Sequence, residues 1–134
     1  MFTLATAALL VGATATSANA VVQQVGNYAV QITNGVSLSY CHAYTENKTN
    51  DTNSDIKGKF DAANGSTCTA WLERKRYNPD GSVQQDWTRV SDVYSVQSWT
   101  AAETGWHWNG TNAGSRVCII RVDTGERGCS KGVW

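Results

Sequence analysis

Two histidines, His42 and His107, are the only side chains in this chain whose ordinary pKa suits proton transfer near neutrality. They sit in unlike contexts, and neither belongs to a Gly-x-Ser-x-Gly elbow or a His-Glu-x-x-His helix. Glu103 and Asp92 would serve as glycosidase carboxylates only if folding brought them within about 5–10 Å. A zinc site would draw on the four cysteines with His42 or His107, but no Cys-x-x-Cys or His-x-x-x-His spacing prepares one. Asp51, Asn53 and Asp55 have the alternating oxygen donors that open a calcium loop. The rest of that motif fails, with Ile56 where glycine is needed and Ala62 where a bidentate Glu belongs. The residue types therefore imply no catalytic set, no cofactor and no resident metal.

What must position any other function is a small cross-linked body. Leu4 to Gly12 is an apolar run too short to span a bilayer, and Ser17-Ala18-Asn19-Ala20 after it suits cleavage before Val21. Residues 1–20 thus read as a signal peptide, although Met1, Phe2 and Thr3 lack the usual basic residue. The expected product is one secreted domain over 21–134. Cys41, Cys68, Cys118 and Cys129 are an even set in a short exported chain, which reads as two disulfides. Three pairings exist. The stretch from Val117 through Asp123, Thr124 and Gly125 to Cys129 looks like a hairpin that opposes Cys118 to Cys129, which leaves Cys41 for Cys68. Eleven basic and eleven acidic residues cancel, which argues against nonspecific nucleic-acid or anionic-membrane binding. No segment of 21–134 is long and apolar enough to span a membrane as a helix. Arg74, Lys75 and Arg76 form the one dense basic cluster and read as a solvated strand surface.

The elements are strands and turns. Asn78-Pro79-Asp80-Gly81 is a turn, because proline presets φ and glycine permits a positive one. It should join Cys68–Tyr77 to Ser82–Thr88 as a hairpin, with Cys68, Ala70 and Leu72 on one face and Trp71 anchoring the other. Further strands are expected at Tyr28–Thr33, Val36–Tyr44, Val90–Gln97 and Arg116–Val122. Asn34-Gly35 marks a hairpin turn or a kink between the first two. Thr45–Thr67 is polar and reads as a long loop, and Thr100–Ser115 as an irregular region. Short strands at this spacing predict an all-β fold, a small antiparallel sandwich (Ig-like) or a small barrel. The Cys–Trp–Cys order of an immunoglobulin domain is not matched, since Trp71 follows Cys68.

Six tryptophans are the main functional clue. Trp71 and Trp87, on opposing hairpin arms, are expected in the core. Trp106 and Trp108, two apart and flanked by glycines, would point the same way on an extended stretch, as core or as a recognition surface that Trp99 and Tyr94 could join. Tyr28, in an N-terminal segment over 21–34 suited to strand addition, is the remaining candidate. Asn47, Asn50, Asn64 and Asn109 head glycosylation sequons.

Cys68-x-x-Trp71, the hairpin to Trp87, Trp108-Asn-Gly, Arg116-Val-Cys118 and the closing Cys129 resemble a group of small secreted actinobacterial β-proteins. They are similar, more loosely, to the adaptor subunits of secreted umbrella toxin particles, which couple lectin subunits to a large stalked toxin. That resemblance implies a non-catalytic, secreted protein-binding module within a toxin or effector complex, engaging a larger subunit through an extended N-terminal segment. The residues themselves also allow a carbohydrate-binding module that uses the tryptophans against glycans, or a hydrolase inhibitor that presents Thr45–Thr67.

Overall fold

A computed structural model of the chain describes residues 22–25, 28–49 and 54–133, with side chains from Asn34 onward. The expected signal peptide, Asp51 to Asn53 of the calcium-like run, the Asn50 sequon and Trp134 lie outside the described residues.

The described residues contain no helix. β1 (Val22–Val25), β2 (Tyr28–Leu38), β3 (Cys41–Thr49) and β4 (Ser54–Ala62) follow one another by hairpins in one antiparallel sheet. β8 (Ala101–Glu103) and β9 (His107–Trp108) both pair with the far side of β4. The second sheet has the order β11 (Arg127–Cys129), β10 (Ala113–Arg121), β5 (Thr67–Tyr77), β6 (Val83–Arg89), with β7 (Tyr94–Gln97) also on β5. The fold is all-β, two antiparallel sheets packed face to face, each keeping its own edges.

The packing follows from period-2 alternation. On β4, Ile56, Gly58, Phe60 and Ala62 are buried while Lys57, Lys59 and Asp61 face outward. On β5, Cys68, Ala70 and Leu72 turn inward, and Val117 and Ile119 of β10 meet them. Fully burying Ile56, Phe60, Leu72 and Ile119 is worth about 1.5–3 kcal/mol each. Gly58 admits the close approach of the sheets: a Cβ there would stand 2.7 Å from the Phe60 ring and 2.9 Å from Val117. Cys41 bonds to Cys68 and so links the sheets; Cys118 bonds to Cys129 across the β10–β11 hairpin. Two disulfides fit an oxidising compartment.

Four expectations change. Thr45–Thr67 is no loop: most of it forms the β3–β4 hairpin, because its charged residues alternate with Ile56, Gly58, Phe60 and Ala62. Of the two readings of Asn34-Gly35, the hairpin turn falls and the kink stands, as a bulge inside β2. The register passes from Ile32↔Glu46 to Gly35↔Tyr44, so two residues oppose Thr45 alone. The buried Thr45 hydroxyl accepts from the Asn34 N–H at 3.2 Å and donates to the Asn34 carbonyl at 3.1 Å. The turn falls instead at Ser39–Tyr40, splitting the strand expected over Val36–Tyr44. The core cluster among the described residues contains no tryptophan. Trp71 and Trp87 lie half-buried on the outer face of the second sheet, where polar partners hold them.

Candidate functional site

Three places on the sandwich carry the displayed aromatic residues. At one end, the β2–β3, β4–β5 and β7–β8 turns converge. The Ala63 N–H donates to the Tyr40 carbonyl at 2.9 Å, the Trp99 N–H to Ala62 at 2.8 Å, and the Gly65 N–H to the Ser98 hydroxyl at 2.7 Å. Tyr40, Asn64 and Trp99 all have positive φ, at 64°, 50° and 61°. That region is sterically costly for any residue with a Cβ, and bulky residues rarely occupy it. Trp99 is nonetheless 77% exposed, and Tyr40 on the adjoining β2–β3 turn is exposed too. Arg121 lies over the Tyr40 ring at 5.3 Å while pairing with Asp123 at 2.7 Å.

The outer face of the first sheet is a charge ladder. Lys57 sits 3.2 Å from Glu46 and 3.3 Å from Glu103, and Lys59 lies 3.7 Å from Glu46. Burial alone would lower the pKa of Lys57, but hydrogen bonds and charge from Glu46 and Glu103 outweigh it and hold the ammonium above its usual range. Trp106 (38% exposed) stands against Lys48 and Lys57, each 4.7 Å from its ring. A groove of about 250 Å³ runs beside the ladder, lined by Tyr44, Lys59, Asp61, Ala101 and Glu103.

The far end of β4 holds Trp108, 46% exposed. It pairs with Asp55, seven residues from the Ala62 that anchors Trp99, so about 23 Å of strand separates the two tryptophans. Arg74 and Arg76 approach the Trp108 ring at 5.7 and 5.8 Å. His107, level with the buried Ile56, has its pKa lowered by burial and by Arg74. The Arg74 Nε is buried and has no hydrogen-bond partner among the described residues.

Trp71 and Trp87 do structural work. Glu73 is buried, accepting from the Trp71 indole at 2.8 Å and from Arg116 Nε at 2.8 Å. Arg116 stacks on Trp87 at 4.3 Å, and Arg127 on Trp71 at 5.3 Å.

The expected binding residues therefore do not form one patch. Trp99 occupies one end, Trp106 a sheet face and Trp108 the opposite end. Tyr94 packs inward against Phe60, ring centroids 5.8 Å apart, and so contributes to the core instead of the surface. Tyr28 is a β2 residue whose side chain lies outside those described. Sequence reasoning missed Tyr40, for which no signal exists, and read Arg74, Lys75 and Arg76 as a solvated strand surface, whereas Arg74 is partly buried and both arginines stand beside Trp108.

Of the chemical candidates, His42 bonds Asp61 at 2.8 Å on the outer face of the first sheet. Glu103 lies in the lysine ladder, and Asp92 in the β6–β7 connection of the other sheet. Asp55 lies on β4, 3.8 Å from Lys48. The one cluster of three metal-type ligands among the described residues is Glu73 with Cys118 and Cys129, and both sulfurs are already in a disulfide. Of the described sequon asparagines, Asn109 is buried and accepts from Ser115 at 2.9 Å, whereas Asn64 is exposed beside Trp99. Among the described residues no helix is long and apolar enough to cross a membrane. No protein-family model, curated protein or solved structure matches this chain.

Proposed function

We propose that this chain is a secreted, non-catalytic protein-binding module, an accessory or adaptor subunit of an extracellular effector or toxin assembly. The observation that carries the reading is Trp99, whose indole is 77% exposed while its backbone is held at φ 61°. A fold gains nothing from straining a tryptophan's backbone to keep the ring in water. Such strain is retained where the displayed group is used. Exposed tryptophans in rigid settings are the anchors on which protein interfaces concentrate their energy. Three hydrogen-bonded turns fix the Trp99 end before any partner arrives, which lowers the ordering cost of docking. The signal-like segment and the two disulfides support an extracellular site of action.

The glycan reading draws less support. A pyranose stacks on an open ring face, whereas lysine ammoniums already stand over Trp106 and guanidiniums over Trp108. The inhibitor reading loses its presented loop, because Thr45–Thr67 is mostly hairpin.

The test is native purification of C-terminally tagged protein from culture medium, followed by size exclusion and mass spectrometry. One larger exported protein should co-purify stoichiometrically with the wild type and be lost with Trp99→Ala. A clean monomer in both sinks the adaptor reading. Deleting Val21 to Gln31 then asks whether β1, on an outer edge of the first sheet, together with the start of β2, contributes.

A further inference from the structure

Apart from Trp99, one cluster has a chemistry that the protein-binding reading does not use. Arg74 and Arg76 lie two residues apart on the inward-facing side of β5, level with Ser115 and Ala113 of β10 and beside Trp108, at the end of the sandwich opposite Trp99. The other basic side chains nearby are neutralised: Arg116 by Glu73, Lys48 by Asp55, Lys57 and Lys59 by Glu46 and Glu103, Lys75 by Asp86. Among the described residues no carboxylate stands within ion-pair distance of Arg74 or Arg76.

We propose that Arg74 and Arg76, beside the Trp108 ring and His107, form a binding site for an oxyanion of the carboxylate or sulfate type. Two guanidiniums gathered on one strand face repel each other unless an anion joins them, and their planar forks suit a carboxylate or sulfate. The partly buried Arg74 has an Nε that finds no acceptor among the described residues, so none of them compensates its charge. The ring that both arginines approach is fixed in place. Trp108 lies so close over Gly110 that a Cβ there would overlap it, and Asn109 next to it is tied to Ser54 at 2.8 Å and to Ser115 at 2.9 Å. His107 completes the wall as a neutral imidazole, a hydrogen-bond donor that adds no further repulsion. The site stands independently of the Trp99 reading, since it lies at the opposite end of β4.

The experiment follows His107 ring and Trp108 indole signals by NMR while sodium sulfate, acetate, glucuronate or glucose is titrated in. Ionic strength is held constant with sodium chloride. Saturable shifts with sulfate or acetate are expected in the wild type, at least tenfold weaker in Arg74→Gln/Arg76→Gln. Should the double variant not fold, Arg76→Gln alone serves, because Arg76 is exposed. Saturation by glucuronate well below the acetate concentration, with glucose silent, would assign the anion to an acidic sugar. Equal response to glucuronate and acetate would assign it to the bare oxyanion. The proposal falls if no anion shifts these signals, or if the double variant responds like the wild type. It also falls if Asp51→Asn responds while the wild type does not, because the chain's own carboxylate would then be the occupant.

Discussion

Replacing Trp99 tests the strain argument quantitatively. The ring is 77% exposed, so truncation removes only about 60 Å² of buried apolar surface, or about 1.4 kcal/mol. Trp99→Ala and Trp99→Gly lose that contribution alike and differ mainly in backbone preference. At an ordinary position glycine is less stable than alanine by about 0.5–1 kcal/mol, through the greater freedom of its unfolded chain. At φ 61° alanine carries the left-handed penalty of about 1–2 kcal/mol, which glycine escapes. The balance reverses, and Trp99→Gly should exceed Trp99→Ala by about 0.5–1 kcal/mol. With a urea slope of about 1.5 kcal/mol per molar, the unfolding midpoints should separate by about 0.3–0.7 M. Equal midpoints, or a more stable alanine variant, would refute the claim that the fold imposes strain on Trp99. Partner capture by Trp99→Gly at wild-type strength would show that the indole is not what the partner reads.

Thr45→Val should destabilise by about 1–3 kcal/mol in urea unfolding, because it strips the β2 bulge of both hydrogen bonds to Asn34. Gly58→Ala should cost about 1–3 kcal/mol and broaden the Phe60 and Val117 methyl and ring signals, since the added carbon has no room. The depressed pKa of His107 means its stabilising neutral form is complete above the ordinary value of 6.5 and lost as pH falls through and below it. The wild-type midpoint should therefore drop more than that of His107→Gln between about pH 7.5 and about pH 5.5. Loop-closure entropy assigns about 3.6 kcal/mol to Cys41–Cys68, with separation 27, and about 2.8 kcal/mol to Cys118–Cys129, with separation 11. Removing the first pair should lower the melting temperature more than removing the second.

The sequence disclosed what short-range chemistry determines. The turn at Asn78–Gly81 forms with Gly81 at φ 86°, and the opposed cysteines of β10 and β11 meet as the hairpin requires. The β3–β4 hairpin was hidden by polarity: its outward residues are almost all charged, although Ile56, Phe60 and Ala62 keep strict alternation. Trp71 misleads in the other direction. Its bulk suggests a core position, but its indole N–H needs an acceptor and finds it in Glu73 on the outer face. The partners that explain such placements are distant in sequence. Arg116 reaches Glu73 across 43 residues, and Trp108 meets Arg74 only because two sheets pack together. The αL backbone of Trp99 left no sequence signal, because tryptophan is a residue that position ordinarily rejects.

The Cys41–Cys68 bond has a consequence for how the molecule opens. It ties the two sheets beside the Tyr40 and Trp99 turns, while the other disulfide lies within one sheet. The Trp108 end is closed differently: the chain crosses there from β9 to β10, and Asn109 bonds Ser54 of the first sheet and Ser115 of the second. The disulfide keeps the Tyr40 and Trp99 turns in register through any opening that does not break it.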